Sequence, residues 1–374
     1  MNLYDFVNST DTIQDFKIQE GSFVKKNVTF LLSDPAVYSN KKYKTVIIGV
    51  PDTIDGDSFV ASKIIRENLY SLVSVSGNLD VLDLGNIKPG KTFRDTCYAI
   101  CEVLLYFSSL DTLVLLIGGS SSFDQGSMLA FDRNSTPLNY IAIDSSINAS
   151  NLKPPLATIS KEVNPIYNYS NIGYQSYLVE RHVLDTAEDN FFESYRLGLV
   201  RTNLKDMEPV LRDANHVSFN INAVRHSDAP AASRPSPNGL SGEEFCQLAF
   251  YTGHGIRLKS LGIYDFLPNN DIHSITAILA AQTIWYFLEG LSNVIYEEPD
   301  TTPENFMTYI IHHNETDSDI SFHKSSLTNR WWMEISAKNK VSKVLLSCSQ
   351  EDYNQACRQE VPERWWKTYH RLKF

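Results

Sequence analysis

The feature that most constrains the fold is an apolar run, Leu113 to Ile117, that ends in two glycines and three serines. Five aliphatic residues in a row are typical of a strand buried on both faces of a parallel sheet. Residues 118–122 predict a loop, and the segment from Phe123 to Arg133 is compatible with a helix. In α/β proteins such loops lie at the carboxyl edge of the sheet, where functional sites are found. The loop holds no group that titrates near neutral pH.

The same strand–loop–helix pattern recurs along the chain. Apolar strands are predicted at residues 44–50, 80–84, 113–117, 140–144, 216–222 and 258–265. Helical spacing predicts helices at residues 61–73, 93–108, 123–133, 183–192, 204–213, 242–252 and 272–290. The polar stretch from 145 to 200 interrupts this pattern, although part of 168–175 fits a strand. We therefore expect an α/β fold with three αβα layers and a mainly parallel sheet covered on both faces.

Changes in composition divide the chain into three predicted parts. Residues 1–43 are polar and mixed, and we expect a cover segment with a helix. Residues 44–294 contain the alternating strands and helices of the α/β domain. Residues 295–374 are polar and aromatic and include two tryptophan pairs, at 331–332 and 365–366. These pairs favour a C-terminal extension packed on the main domain over a recognition surface.

Charge and cysteine content exclude several classes of protein. The chain has 33 basic and 44 acidic residues, a net charge of −11, and no basic cluster larger than two lysines. Binding to nucleic acid or to an anionic membrane is therefore not expected. No signal peptide is expected from the N-terminus, and the most apolar run is interrupted too soon to span a membrane. Five cysteines without a CxxC pair predict reduced, mostly buried thiols and a cytoplasmic protein.

Four predicted strands end in polar segments. These are Gly118-Gly119-Ser120-Ser121-Ser122, Asp144-Ser145-Ser146-Ile147-Asn148, Ser218-Phe219-Asn220-Ile221-Asn222-Ala223 and Tyr264-Asp265-Phe266-Leu267-Pro268. Their order and spacing resemble the ureohydrolase superfamily (arginase, agmatinase and formimidoylglutamase), which carries GGDHS, DAHxD, SxDxDxxD and VExNP at these places. Residues 227–240 resemble the formimidoylglutamase branch most closely. The resemblance covers about residues 44–290 and implies an arginase-like fold.

The resemblance also implies a dimanganese site, but most of its ligands are replaced in this chain. In the family, six Asp and His side chains hold two Mn²⁺ ions that activate a bridging water. The corresponding residues here are Ser121, Asp144, Ser146, Asn148, Asn220 and Asn222. Of these six residues, Asp144 alone keeps a side chain of the kind that binds a hard dication. Beside this set, Ser120 replaces the Asp of GGDHS, Asp265 replaces the substrate-binding Glu, and Arg225 replaces the third Asp of DxDxxD.

These replacements remove charge together with the metal ligands. Carboxylates left behind without their cations would repel one another at a cost on the order of several kcal/mol. Asparagine and serine at five of the six positions avoid that cost. We predict that the remaining carboxylate, Asp144, forms an ion pair with Arg225 where the metal cluster would lie.

Three functions remain open. The first is a non-catalytic pseudoenzyme, a binding, scaffolding or regulatory subunit that needs no cofactor. It would form a homo-oligomer, with a protein partner at the C-terminal extension. The second is a C–N hydrolase of linear amidines with a remodelled site, in which Asp144, Asp265 and His226 act and Mn²⁺ is the cofactor. The third is a sensor whose Asp265 binds a small cationic ligand, with His226 and Ser120 close by.

Other interpretations of these residues are simpler. No glycine follows two residues after Ser120, Ser121 or Ser122, so the loop does not form the elbow of a serine nucleophile. It also lacks the lysine of a phosphate-binding loop. His226 fits an ordinary hydrogen-bonded loop histidine, and Asp124 fits an acid in the first turn of a helix.

Overall fold

The computed structural model describes residues 3–8, 21–31, 42–77, 79–134, 136–148, 166–313, 318–336 and 343–372. The first part of the chain forms β1 (Val7–Asn8), α1 (Phe23–Asn27), β2 (Val28–Phe30), β3 (Thr45–Gly49), α2 (Val60–Ser71), β4 (Val81–Ile87), α3 (Phe93–Ser109), β5 (Leu113–Ile117), α4 (Asp124–Arg133) and β6 (Leu138–Ile143). The next part forms β7 (Ile166–Tyr174), α5 (Arg181–Asp189), β8 (Glu193–Arg196), α6 (Leu197–Thr202), α7 (Met207–Arg212), β9 (His216–Asn220), α8 (Gly242–Gly253), β10 (Ser260–Tyr264) and α9 (Ile275–Ser292). The last part forms β11 (Phe306–His313), β12 (Ser318–Ser325), β13 (Trp331–Ser336), β14 (Lys343–Cys348), α10 (Gln350–Cys357) and α11 (Glu363–Arg371).

A mainly parallel sheet forms the centre of the molecule. Its strand order is β1-β4-β3-β5-β10-β9-β6-β7-β8, and β2 also pairs with β4. Among these described strands, the β1–β4 pair is antiparallel and the others are parallel. Alternate side chains of β5 enter different cores: Leu115 and Ile117 pack with α2, α8 and α9, whereas Val114 and Leu116 pack with α3 and α4. The predicted three-layer αβα fold is confirmed.

Local hydrogen bonds define where two of the flanking helices begin. The Thr92 hydroxyl accepts a bond from the backbone N–H of Asp95 at 3.2 Å, and the Asp95 carboxylate accepts one from the N–H of Thr92 at 3.0 Å. Ser241 and Glu244 make the same reciprocal pair at the start of α8. Such capping boxes satisfy N–H groups that have no partner inside the helix.

The structure differs from the sequence-based expectation at the start of the chain and of one helix. Strands β1 and β2 extend the central sheet at the edge of β4, so described parts of residues 1–43 do more than cover the domain. Strands of two and three residues are too short to give a periodic signal. Helix α9 begins at Ile275 rather than residue 272, because His273 and Ser274 have left-handed backbone angles, with φ of 64° and 57°.

The C-terminal extension is a four-stranded antiparallel sheet, ordered β11-β12-β13-β14, with α10 and α11 on one face. Its other face meets the main domain, where the Arg212 guanidinium lies 4.1 Å from the centre of the Trp332 ring. From α11, Arg364 pairs with Glu193 at 3.1 Å and with Asp213 at 3.4 Å, and all three side chains are buried. Buried ion pairs therefore join helix α11 of the extension to the main domain.

Within the ranges given above, no helix is both long enough and apolar enough to cross a lipid bilayer.

All five cysteines are free, and four of them are buried, with Cys357 exposed. Burial raises the pKa of the Cys97 thiol to about 12, so that thiol stays protonated.

Candidate functional site

The carboxyl ends of four adjacent strands form the candidate site. In the sheet, β5, β10, β9 and β6 are neighbours, and they carry the four polar segments found in the sequence. Ile117 is in register with Ile263, and Tyr264 with Asn220. Because the strands are parallel and in register, the residues that follow them reach the same edge. The structure thus brings together Ser121, Asp144, Asn220 and Asp265.

Two glycines shape the loop after β5. Gly118 and Gly119 have φ values of +81° and +69°, a region that side chains other than glycine's rarely adopt. A Cβ atom on Gly119 would lie 2.2 Å from the carbonyl oxygen of Pro51. The carbonyl of Gly119 also accepts a hydrogen bond from the N–H of Asp265 at 2.8 Å. This turn therefore fixes the loop against β3 and β10.

The side-chain amide of Asn220 lies at the centre of the site. Its Nδ2 donates to Asp144 Oδ2 at 3.1 Å, to Asp265 Oδ2 through a short bond, and to Ser121 Oγ at 3.4 Å. Ser121 Oγ in turn donates to Asp265 Oδ2 at 2.8 Å. Asn220 is buried, and its Oδ1 accepts the backbone N–H of Asn222 at 2.9 Å. Two carboxylates are thus joined through one neutral amide.

The predicted Asp144–Arg225 ion pair is wrong. Arg225 pairs with Asp228 instead, at 3.0 Å, on the exposed side of its loop. The cation beside Asp144 is Arg234, whose Nη2 lies 3.6 Å from Asp144 Oδ1 and donates to Ser146 Oγ at 3.2 Å. Residues 227–239 form a loop that crosses the site, so a residue remote from the strand end supplies the charge.

Asn222 anchors this loop rather than facing Asp144. Its Oδ1 accepts the N–H of Arg234 at 2.6 Å and the Ser233 hydroxyl at 3.2 Å, and its Nδ2 donates to Ser233 Oγ at 3.0 Å. The N–H of Ser233 donates to the carbonyl of Asp265 at 3.0 Å. These bonds hold the loop between the ends of β9 and β10. Arg234 is therefore positioned at the site by the hydrogen bond of its backbone N–H as well as by its ion pair with Asp144.

Burial raises the pKa of both carboxyl groups. For Asp144, burial is the largest cause, Arg234 lowers the value, Asp265 raises it, and the pKa reaches about 6. For Asp265, burial again raises the pKa, while hydrogen bonds from Ser121 and Asn220 lower it. Burial therefore favours the protonated form of each carboxyl group.

The other candidate residues lie further from this cluster. Ser120 Oγ accepts the backbone N–H of Ser122 at 3.2 Å and begins the short turn Ser121–Phe123. His226 is exposed, and its backbone N–H donates to the Ser236 carbonyl at 2.7 Å. Asn148 is exposed at the end of a described range. The structure therefore gives Ser120 a capping role and leaves the other two at the surface.

A buried polar network below the site was missed from the sequence. His216 Nε2 lies 2.8 Å from Asp124 Oδ1, and its Nδ1 lies 2.7 Å from Ser260 Oγ. The Tyr140 hydroxyl donates to Asp124 Oδ2 at 3.0 Å. These four residues are fully buried, so they stabilise the packing of α4 on the sheet and do not face a ligand. The alternation of His216, Ser218 and Asn220 on one strand face was the available signal.

The donor set at this edge fits a pair of divalent cations poorly. Mn²⁺ prefers several carboxylate and imidazole ligands, whereas the cluster offers two carboxylates, hydroxyls and an amide whose N–H groups face both carboxylates. Across the described ranges, no group of three or more His, Cys, Asp or Glu side chains is placed to hold a metal ion.

Comparisons with known proteins agree with the fold. Solved structures similar to this chain include formiminoglutamase from Trypanosoma cruzi with Mn²⁺ (18% identity, 69% of this chain and 97% of that chain, TM-score 0.61). They also include formimidoylglutamase from Bacillus subtilis subsp. subtilis (16%, 78% and 98%, 0.61) and proclavaminate amidino hydrolase from Streptomyces clavuligerus (18%, 73% and 97%, 0.56). No curated protein sequence matches. The model of the arginase family matches residues 43–289, so the chain belongs to the arginase family.

Proposed function

We propose that this chain is a non-catalytic member of the arginase family, a binding, scaffolding or regulatory subunit that works without Mn²⁺. The observation that carries the proposal is the amide of Asn220, which donates to Asp144 and to Asp265. A donor between two carboxylates reduces their repulsion in the place where a cation would otherwise do so. A metal ion at that point would instead face the N–H groups of the amide.

The charge balance of the site supports the same proposal. Asp265 accepts hydrogen bonds from Ser121 and Asn220, Asp144 accepts one from Asn220, and Arg234 adds one positive charge. Six metal ligands of the family type would bring four carboxylates, which need two dications to be stable at close range. The replacements leave fewer like charges to balance, so the site does not require two dications, and its residues serve packing and loop anchoring.

An activity assay with added Mn²⁺ tests this proposal. The purified chain is incubated with formiminoglutamate, agmatine or arginine, and the hydrolysis products are measured. We expect no turnover above the buffer rate, and metal-dependent turnover by the unmodified chain would contradict the proposal. The matched variant restores the ligand set with Ser121→His, Ser146→His, Asn148→Asp, Asn220→Asp and Asn222→Asp. It is expected to gain Mn²⁺ affinity, because the fold is shared and the ligands differ.

A second candidate is a C–N hydrolase of linear amidines with a remodelled site. The two buried acids favour it, because a carboxyl group with a pKa of about 6, as for Asp144, is suited to general acid–base catalysis. The exposed position of His226 gives it no part in such a site. If this candidate were correct, the rate of hydrolysis would change through a titration near pH 6, and Asp144→Asn and Asp265→Asn would each abolish it.

A sensor for a small cation is the third candidate. A cationic ligand of Asp265 would have to displace the hydrogen bonds from Ser121 and Asn220. A thermal-shift series with agmatine, arginine and formiminoglutamate distinguishes a sensor from a scaffold, because a ligand that binds the folded state raises the melting temperature. A scaffold gives no shift with any of the three.

A protein partner at the C-terminal extension belongs to the first proposal. Trp331, Trp332 and Trp365 are buried, whereas Trp366 is 44% exposed on α11, with its ring centre 4.0 Å from that of His370. An exposed tryptophan is a typical anchor of protein interfaces. A cytoplasmic location stays a prediction, which the free cysteines support.

A further inference from the structure

A groove lies at the junction between helix α7 of the main domain and the C-terminal extension. One wall is formed by α7 and the turn before it, and the other by the turn between β12 and β13 and the start of α10. Its volume is about 530 Å³, which is in the range of small-molecule sites. A cavity of about 200 Å³ adjoins it and shares four lining residues with it, Asn203, Asp206, Ser349 and Glu351.

The groove is basic at the end where α7 stops. Arg212, the last residue of α7, and Arg330 line this end. Glu208 Oε1 lies 3.3 Å from Arg212 Nε and 3.0 Å from Arg330 Nε, so one carboxylate faces two guanidinium groups. Nη2 of the buried Arg212 donates to the Trp331 carbonyl at 3.1 Å, whereas its Nη1 has no hydrogen-bond partner among the described residues. This end therefore has an excess of positive charge and an unused donor.

The groove is acidic at the end where α7 starts. Asp206 immediately precedes α7, and its carboxylate neither caps the helix by a hydrogen bond nor forms an ion pair within the described part of the chain. Glu351, in the first turn of α10, faces the same end and makes an exposed ion pair with Arg358 at 2.9 Å. Burial raises the pKa of Asp206, Lys205 lowers it, and Asp352 and Glu351 raise it again. The negative charge of Asp206 is therefore poorly compensated.

We propose that the groove binds an amino acid whose ammonium and carboxylate groups are separated by an alkyl chain. The carboxylate pairs with Arg330 and Arg212, and the ammonium group pairs with Asp206. The six residues of α7 separate the two ends by about 9 Å along the helix axis, so the two charges of the ligand must lie well apart. Hydrogen bonds between charged partners are roughly twice as strong as neutral ones.

Ligands with charge of a single sign fit the groove less well. Inorganic phosphate would satisfy the two arginines, but it would be repelled by Asp206 and Glu351. A diamine would be attracted to the acidic end and repelled by the arginines. A metal ion is also disfavoured, because no group of three His, Cys, Asp or Glu side chains in the described ranges is placed to hold one.

The groove is separate from the site at the strand ends. Arg212 precedes the amino end of β9, whereas Asn220 is the last residue of that strand, about 13 Å further along it. Binding in the groove therefore needs neither a metal nor a substrate at the strand-end site. Because the groove is bounded by both the main domain and the extension, its ligand would contact both and stabilise the folded chain.

Isothermal titration calorimetry of the full chain tests the proposal with four probes. We expect ε-aminocaproate, which carries two separated charges, to bind. Caproate and hexylamine each carry one of these charges and are expected to bind at least about tenfold more weakly, because a hydrogen bond to a charged group is worth at least that factor. Glycine, whose two charges are adjacent, should also bind at least about tenfold more weakly for the same reason. No binding of ε-aminocaproate at millimolar concentration, or equal affinity for caproate or hexylamine, overturns the proposal.

Variants at the two ends of the groove test the orientation of the ligand. Asp206→Asn should reduce the affinity for ε-aminocaproate to that for caproate, and it should bind caproate no more weakly than the unmodified chain does. Arg330→Gln should weaken the binding of both probes. Asp132→Asn, the same change on α4 outside the groove, should bind like the unmodified chain. An Asp206→Asn variant that keeps full affinity for ε-aminocaproate contradicts the proposal.

Discussion

Asp144→Asn is expected to stabilise this protein at neutral pH. The Asp144 carboxylate is buried, with its side chain 12% exposed, and its pKa rises from 3.8 to about 6 on folding. The protonated form is therefore favoured in the folded state. Between these two pH values the folded chain binds more protons than the unfolded chain, so the free energy of unfolding falls as pH rises through this window. The difference corresponds to about 3 kcal/mol.

Asparagine keeps the shape of the side chain and removes this charge. Above pH 6 the variant avoids the full cost of the buried carboxylate, whereas below about pH 4 both forms are neutral and the advantage disappears. In a chain of 374 residues, about 3 kcal/mol corresponds to a rise of about 4 °C in melting temperature. Thermal and denaturant unfolding of both proteins from about pH 4 to pH 8 measures the difference.

Asp228→Asn is the matched control. Burial raises the pKa of Asp228, but hydrogen bonds from Arg225, the N–H of Gly242 and Ser227 outweigh it, and the net direction is downward. The same substitution at this position should therefore lower stability at neutral pH.

The reasoning is refuted if Asp144→Asn is less stable than the unmodified chain at pH 7 to 8. A stability difference that stays constant across the window refutes it as well. Loss of stability would be the expected behaviour of a carboxylate that holds a metal.

Two further substitutions test the packing of the fold. Gly119→Ala should lower the free energy of unfolding by about 1–3 kcal/mol through backbone strain, and the clash with the Pro51 carbonyl adds to this loss. Its control is Gly198→Ala, at an open helical position, which should leave the melting temperature unchanged or slightly raised. Arg364→Met should lower the free energy of unfolding by about 3–5 kcal/mol, because Glu193 and Asp213 stay buried without their cation. Arg358→Met removes an exposed arginine and should leave denaturant unfolding unchanged. Equal effects of the two substitutions would contradict a role for buried ion pairs in joining the extension to the main domain.

The strand ends were predictable because buried parallel strands leave a direct trace in the sequence. The run Leu113–Ile117 was predicted with the bounds that the structure gives, and β9 was predicted from its correct first residue. Since strand order places consecutive motifs at one edge, the proximity of Asp144 and Asp265 follows from topology. Four short motifs in the right order were sufficient to identify the fold.

The partner of Asp144 was not predictable from the same pattern. Arg225 is close to the strand end in sequence, but its side chain leaves the sheet edge and pairs with Asp228. Arg234 reaches the site because bonds from Asn222 fix the backbone of its loop. Loop conformation depends on such tertiary hydrogen bonds, which periodicity does not encode. Arg234 is the one basic residue between positions 227 and 239, and that fact was the available clue.

The C-terminal sheet was missed for a related reason. The sequence indicated an extension rich in polar and aromatic residues. In its four strands, only the face that packs on the C-terminal helices is lined by a cluster of apolar side chains. Met333 and Ile335 face α11, while Trp332 and Ser347 face the main domain through Arg212 and Asp213. A face that packs through an ion pair, a cation–π contact and a hydroxyl shows little hydrophobic alternation.

The metal content of the purified chain tests the central claim most directly. The protein is expressed with added Mn²⁺, purified without chelator, and analysed for Mn, Fe and Zn per chain, with the variant that restores the six ligands as the positive control. We expect far less than one ion per chain for the unmodified protein, because Asn220 and Arg234 occupy the surroundings of Asp144. Stoichiometric metal, near the two ions per chain of a dinuclear site, would contradict it.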